Sequence, residues 1–195
     1  MLFRSLLLSV FLQVCLGRHR RLLVIADGAR WIRAWYQGFV ALHSASCLLL
    51  DWFHLCKKCR EMASLICRGR HAKKPLLNVV LSCLCNGDVA GAITALEASR
   101  PDAKNLLKLD ELIVYLRDRA VYIPNYRARR LECCYIGSAH VEKTNDLLVA
   151  QRQKGQGMHW SLDTSDALAA LRTLMLNGGW DRYWRHREVL PRVAG

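Results

Sequence analysis

Acidic residues are scarce in this sequence. Its 195 residues include 16 Asp and Glu against 29 Lys and Arg, which gives a net charge of +13 with His neutral. An excess of cations this large favours a polyanionic partner, most often a nucleic acid. Arginine is abundant among the cations, and its guanidinium fork matches phosphate geometry better than an ammonium group does. A basic protein without such a partner is the alternative.

Internal repeats, low-complexity tracts and a second paired cysteine motif are also missing. The 52% hydrophobic fraction excludes a disordered chain and fits one globular domain, with or without an insertion. The nine cysteines are odd in number and several lie in apolar runs, so we predict free thiols rather than a disulfide framework. Cys56 and Cys59 have the spacing of zinc ligands, but no second pair lies at the distance that a zinc finger requires.

Residues 1–17 partly resemble a secretory signal, because a basic start, an apolar run and small residues occur in that order. The run is short for a transmembrane helix. An arginine cluster and a cysteine-rich basic body follow it, and these fit secretion badly. We therefore predict a buried helix over residues 5–17 and no membrane partner. A small secreted or membrane-anchored basic protein is the alternative.

Two short apolar runs, each ending in Asp, predict two buried strands. Residues 22–26 precede Asp27, and residues 46–50 precede Asp51. Alternating strands and helices with carboxylates at the strand ends are typical of an α/β unit, in which ligands bind at the carboxyl edge of the sheet. Taken alone, Asp27 fits a helix cap better than a ligand-binding residue, and it can serve as both.

Helices are predicted after both strands and throughout the middle of the chain. The first two are predicted at 29–37 and from about 52 to 67, the second with an apolar face formed by Leu55, Cys59, Met62, Ala63 and Ile66. After a basic loop at 68–75, helices are predicted at 76–87, 88–100 and 103–123, with Asp88 as an N-cap, Gly87 as a C-cap, and Leu106, Leu109, Leu112, Ile113 and Leu116 on one face of the last. We therefore predict an all-helical insertion over 69–130, between segments 1–68 and 131–195.

Glu142 lies in a predicted helix from about 139 to 153, with Ser138 as its cap. Three-and-four spacing places Glu142, Asn145, Val149 and either Arg152 or Gln153 on one face, although a solvated charged face is the usual meaning of such a pattern. The helix ends at Lys154 and a glycine-broken loop with His159 and Trp160 follows. Such a loop suits contact with phosphates and stacking on bases or sugars.

The motifs "DGARWIRAW", "LLDWFHLCKKC" and "YIGSAHVEKTNDLLVAQRQKGQGMHWS" occur in this order. Together they resemble the transposases of certain bacterial insertion sequences, which belong to the DDE class and have an RNase H-like catalytic core. The resemblance extends from about residue 20 to residue 180. It implies a predominantly helical α/β fold with a partial RNase H-like core, a bacterial cytoplasmic and nucleoid-associated location, and DNA partners, namely the element ends and the target. A homo-oligomer is a further alternative.

The resemblance also implies roles for single residues. Asp27 occupies the place of the second catalytic carboxylate and Glu142 that of the last, and both would hold Mg²⁺ or Mn²⁺ in the two-metal site of the complete family enzyme. Asp51 and His54 match an auxiliary Asp-x-x-His motif. The expected DNA-binding residues are Arg130, Arg152, Lys154, His159 and Trp160.

One departure from the family pattern is serious. The first catalytic Asp of the family lies well upstream of the second, but only 26 residues precede Asp27 here and none of them is acidic. We therefore expect the chain to correspond to the C-terminal part of a truncated or frameshifted transposase that is inactive alone. A non-catalytic, basic DNA-binding remnant is the alternative.

Overall fold

The computed structural model of the protein describes residues 22–40, 46–155 and 157–186. The predicted signal or helix within residues 1–17 lies outside these residues. The chain divides between Ser138 and Ala139 into two compact units. We describe them separately, as the first unit and the second unit. The division into segments 1–68, 69–130 and 131–195 stays a prediction.

Two parallel strands form the sheet of the first unit. They are β1 (Leu22–Ala26) and β2 (Ser46–Leu50), so both predicted strands are confirmed with their bounds. Ala26 is in register with Leu50, and the Asp51 N–H donates to the Ala26 carbonyl at 2.8 Å. The residues after the two strands, Asp27 and Asp51, therefore follow matched positions at one edge of the sheet. Helix α1 (Arg30–Trp35) comes after β1 and continues into a π-helical turn, Tyr36–Val40.

Helices make up most of the first unit, as the sequence predicts. In chain order they are α2 (Trp52–Ile66), α3 (Arg70–Cys85), α4 (Val89–Ala98), α5 (Leu106–Arg119) and α6 (Tyr126–Leu131), with 3₁₀ turns at Arg100–Asp102 and Ala120–Tyr122. None of the helices that the structure describes combines the length and apolar character needed to cross a membrane.

One hydrophobic core joins β2 to helices α2–α6. The predicted apolar face of α2 is confirmed, because all five of its residues are buried. On α5 the prediction holds for Leu109, Leu112, Ile113 and Leu116, but Leu106 is 48% exposed. Side chains point toward the N-terminus of their helix, so the side chain of this first helical residue extends beyond the end of α5.

The predicted loop at 68–75 is wrong, because α3 begins at Arg70 and includes Pro75. Pro75 is the sixth residue of α3 and lacks the N–H that would bond to the His71 carbonyl, so the helix loses one intrahelical hydrogen bond there. The predicted end of α3 is confirmed. Gly87 has a φ of +79°, its N–H donates to Leu84, and the Asp88 N–H donates to Cys83, which is the hydrogen-bond pattern of a Schellman motif.

The regular elements that the structure describes in the second unit are all helices or helical turns. Its elements are α7 (Ala139–Asn145), a π-helical turn (Asp146–Ala150), α8 (Gln151–Gln153), α9 (Leu162–Leu176) and α10 (Trp180–His186). Gln153 exchanges two hydrogen bonds with Ser165, and the Arg172 guanidinium donates to the Leu147 carbonyl. These contacts hold α9 beside the segment that precedes it. No residue that the structure describes in this unit is buried.

Candidate functional site

Asp27 is an exposed carboxylate on a tight turn at the end of β1. Its Oδ1 accepts a hydrogen bond from the Ala29 N–H at 2.9 Å, whereas the N-cap of α1 is Ala29, which makes no side-chain capping bond. Gly28 has a φ of +82°, and a Cβ at this position would lie 2.8 Å from Leu50 Cδ1. The Asp-Gly pair is therefore required by the turn, and the carboxylate is left at the edge of the sheet.

An open cleft of about 300 Å³ lies beside Asp27. We call it the strand-end cleft, and its other lining residues are His54, Lys57, Lys58, Glu61 and Tyr115. The four α2 residues follow one another at helical three-and-four spacing. That spacing is a signal that sequence reasoning could have used, and it was missed. Tyr115 comes from α5, and no local pattern connects it to Asp27.

Aromatic and cationic side chains support this edge from α5. The Arg119 guanidinium lies 4.0 Å from the centroid of the Tyr115 ring and donates to the Gly28 carbonyl at 3.4 Å. Burial raises the pKa of Tyr115, and the nearby Asp27 carboxylate raises it further. Burial also lowers the pKa of Arg119. The Asp-Gly turn is thus supported by a half-buried cation–π pair.

Asp51 lies in a different environment, since it is 1% exposed and fully engaged in hydrogen bonds. Its Oδ1 accepts from the backbone N–H groups of Phe53 at 2.7 Å and His54 at 3.2 Å, which caps α2. Its Oδ2 accepts from the Ser138 N–H at 2.6 Å and from the Ser138 hydroxyl. Asp51 therefore joins the start of α2 to the last residue of the first unit.

The ionisation of Asp51 follows from these contacts. Burial raises the pKa of its carboxyl group, but the bonds from Ser138, His54 and Phe53 outweigh burial and leave the pKa below its ordinary value of 3.8. The Nδ1 atom of His54 lies 3.4 Å from Asp51 Oδ2. Asp51 is thus an ionised positioning residue, and His54 lies between it and the strand-end cleft.

The Tyr126 side chain of α6 is hydrogen-bonded to the C-terminal end of β2. This fully buried residue donates its hydroxyl to the Leu50 carbonyl at 2.7 Å, and its ring lies 4.9 Å from that of Trp52. Burial raises its pKa strongly, so the hydroxyl stays protonated and serves as a donor. The edge that carries both aspartates is therefore fastened to α6.

The donors of the first unit do not by themselves fit the two-metal site that the family resemblance implies. Within residues 22–40, 46–155 and 157–186 no group of three His, Cys, Asp or Glu side chains is placed to hold a metal ion. At the strand-end cleft, two lysines accompany the carboxylates of Asp27 and Glu61. Cations so close weaken the field that would hold Mg²⁺.

The cysteines at the zinc-ligand spacing belong to the core. Cys56 and Cys59 are buried on the inner face of α2. Burial raises the pKa of Cys56 to about 11 and that of Cys59 to about 12. Both therefore remain neutral thiols at physiological pH and pack as small apolar side chains.

The second unit carries Glu142 and most of the predicted DNA-binding residues. Glu142 is exposed in the first turn of α7, where a carboxylate is favoured by the helix dipole. The predicted helix over 139–153 is confirmed in its extent, but a π-helical turn lies within it at Asp146–Ala150. That turn adds a residue, so the predicted common face does not continue from Glu142 to Arg152.

The described residues of the loop after α8 are exposed. Arg152, Lys154, His159 and Trp160 are all exposed, and Trp160 shows 41% of its surface. Gly157, with a φ of +73°, turns the chain between them. The structure therefore presents two cations, an imidazole and an indole on one short stretch. Arg130, the fifth predicted DNA-binding residue, is exposed near the end of α6 in the first unit.

Comparisons with protein-family models, with curated proteins and with solved structures find no match to this chain.

Proposed function

We propose that this chain is part of the catalytic core of a bacterial insertion-sequence transposase of the DDE class. On this proposal β1, β2 and the helices that follow belong to a partial RNase H-like core. The partners are the element ends and target DNA in the bacterial nucleoid. A homo-oligomer would form on the DNA, since the two element ends must be brought together.

One observation carries the proposal. Asp27, which the resemblance makes a catalytic carboxylate, is exposed at the carboxyl end of a parallel strand and lines an open cleft with Lys57 and Lys58. Ligands bind at this edge in α/β sheets. Two lysines beside a carboxylate suit a phosphodiester, because they attract the backbone toward the acidic group. The exposed loop of the second unit adds cations and an indole suited to nucleic acid.

In the complete family enzyme that the resemblance implies, Asp27 and Glu142 would be ligands of Mg²⁺ or Mn²⁺, and Asp51 and His54 would have an auxiliary role. When bound, the ions would stabilise the attacking and leaving oxygens of a phosphoryl displacement. Within residues 1–26 there is no Asp or Glu that could match the first carboxylate of the family. We propose that this chain does not cut DNA by itself.

A second candidate function is binding of DNA without chemistry. Lys57 and Lys58, together with the exposed cations of the second unit, favour it, since they need no metal to contact phosphate. Both candidates predict salt-dependent binding of duplex DNA. They differ in whether supplying the missing carboxylate on an upstream segment restores metal-dependent cleavage.

The test measures binding of a fluorescent DNA duplex to the purified chain over a range of KCl concentrations. We expect log Kd to change linearly with log[KCl], and Arg152→Gln/Lys154→Gln to lower the slope by about 2. The matched control, Lys104→Gln/Arg117→Gln, removes the same charge from exposed cations of the first unit. We expect it to leave the slope nearly unchanged.

Two results would contradict the proposal. Binding that is absent, or that does not respond to salt, would remove DNA as the partner. Robust Mg²⁺-dependent cleavage of an element end by the 195-residue chain, abolished by Glu142→Gln, would show that the chain is active alone.

A further inference from the structure

A second basic surface lies in the first unit, and none of its lining residues is among those that the sequence marks for DNA binding. Helices α2 and α3 enclose a groove of about 410 Å³. We call it the basic groove and define it by its four cations, Arg60, Arg70, Lys73 and Lys74. Its other lining residues are Leu77, Asn78 and Leu81, so none of the described residues that line it carries a carboxylate.

The cations of α3 are arranged in a way that destabilises the N-terminal part of this helix. Arg70, Lys73 and Lys74 lie three and four residues apart, which places like charges together on one helix face. They occupy the first turns of α3, where the positive end of the helix dipole disfavours cations. The N-cap, Gly69, makes no side-chain capping bond, and the first turn has no acidic residue. A bound anion would relieve all three costs.

Neutralisation by the protein itself is not found in the part of the chain that the structure describes. The ion pairs among those residues involve other cations. The Lys73 ammonium donates to the hydroxyl of Ser64, which holds the side chain in place but leaves its charge. The basic groove is therefore a concentration of positive charge over an apolar floor.

We propose that the basic groove binds the sugar–phosphate backbone of a DNA duplex. From Arg70 to Asn78 the helix rises about 12 Å, at about 1.5 Å per residue, which spans three to four base-pair steps of about 3.4 Å. Among the described residues that line the groove none is aromatic. A site for splayed single-stranded bases would need such rings for stacking, so the contact is made to the backbone of paired DNA.

The identification of DNA as the partner rests on the proposed function, whereas the location of the contact rests only on the geometry and charge of the basic groove. The basic groove lies in the first unit and the exposed loop with Lys154 in the second. Two separate contacts with the backbone explain the large charge excess better than one loop does.

The test compares duplex binding by the full chain and by Arg70→Gln/Lys73→Gln/Lys74→Gln across a KCl series. We expect the salt slope of log Kd to fall by about 2 to 3 and the affinity to fall at least about tenfold at one fixed salt concentration. The matched control, Lys104→Gln/Arg117→Gln/Arg127→Gln, removes three exposed cations of the same unit outside the groove. It should change the slope by less than about 1.

Should the triple variant fail to fold, Arg70→Gln/Lys74→Gln keeps the Lys73–Ser64 bond and should lower the slope by about 2. If the parent chain binds duplex DNA but the groove variants and the control have equal salt slopes, the basic groove is not a DNA contact. The proposed function would then be unaffected. A parent chain that binds no duplex would overturn both. A groove variant that loses binding only to single strands would also contradict the inference.

Discussion

Asp27 and Asp51 end two neighbouring parallel strands at matching positions, yet they lie in different environments. Asp27 is exposed, accepts a hydrogen bond from its own turn and lines the strand-end cleft. Asp51 is 1% exposed and accepts four hydrogen bonds through its two oxygens. The same local sequence, an apolar run followed by Asp, thus provides a surface carboxylate in one case and an internal anchor in the other.

The role of an Asp at a strand end therefore depends on its hydrogen-bond partners and not on its position in the strand. A carboxylate whose oxygens are filled by backbone and hydroxyl donors has no lone pairs directed at a ligand. A carboxylate that serves only its own turn keeps most of its acceptor capacity. Asp27 is therefore the functional candidate of the pair, and Asp51 is the residue that holds Ser138 in place.

The largest expected effect belongs to Asp51→Asn. An Asn can still cap α2 through its oxygen, but its amide group would face the Ser138 N–H and hydroxyl where an oxygen now accepts. Losing the charge and leaving a buried donor unsatisfied should lower the free energy of unfolding by about 2–4 kcal/mol. Urea unfolding measures the loss, and faster hydrogen exchange of the Ser138 amide would locate it.

The pH dependence of the stability difference between the parent protein and Asp51→Asn tests whether the Asp51 carboxyl group is ionised. Because folding lowers the Asp51 pKa, the carboxylate stabilises the folded protein above the ordinary pKa of 3.8. The stabilisation is lost as the pH falls through the lower, folded-state pKa. The gap between the parent and Asp51→Asn should therefore narrow only below about pH 4. A gap that closes near neutral pH would contradict an ionised, buried Asp51.

Ser138→Ala should have a smaller effect. It removes the hydroxyl that bonds to Asp51 Oδ2 and keeps the backbone N–H that bonds to the same oxygen. We expect the free energy of unfolding to fall by about 1–2 kcal/mol, and the combination with Asp51→Asn to cost less than the sum. The matched control is Ser82→Ala, at an exposed position of α3, which should leave the free energy of unfolding nearly unchanged. Ser161→Ala is unsuitable, because the Ser161 hydroxyl caps α9. Additive effects of Asp51→Asn and Ser138→Ala would mean that the two side chains are not coupled.

Sequence patterns predict this fold well where the contacts are local. Both strands, the apolar face of α2, the Gly87 stop and the Asp88 cap follow from periodicity and from turn chemistry within a few residues. The role of Asp51 could not be predicted, because Ser138 lies 87 residues away along the chain. The same holds for Tyr126, whose bond to Leu50 spans 76 residues.

The candidate site shows the same limit. Asp27 and His54 were predicted beside one edge of the sheet, and the strand-end cleft contains both. Lys57, Lys58 and Glu61 could have been found from helical spacing after His54. The basic groove was hidden by an error, since residues 68–75 were predicted as a loop. Only a helix places Arg70, Lys73 and Lys74 on one face.

The smallest effect on stability is expected for Asp27→Asn, which can keep the bond to the Ala29 N–H. The free energy of unfolding should change by less than about 0.5 kcal/mol, since the side chain is exposed. Binding of duplex DNA without divalent ions should tighten by up to about fivefold, because one unit charge removed beside Lys57 and Lys58 is worth about 1 kcal/mol against a nearby phosphate. Asp102→Asn, at an exposed position in the 3₁₀ turn after α4, is the matched control. Equal tightening by both variants would show that the effect comes from the net charge of the protein and not from the position of Asp27. A large loss of stability in Asp27→Asn would make Asp27 an anchor like Asp51 and end the contrast between the two strand ends.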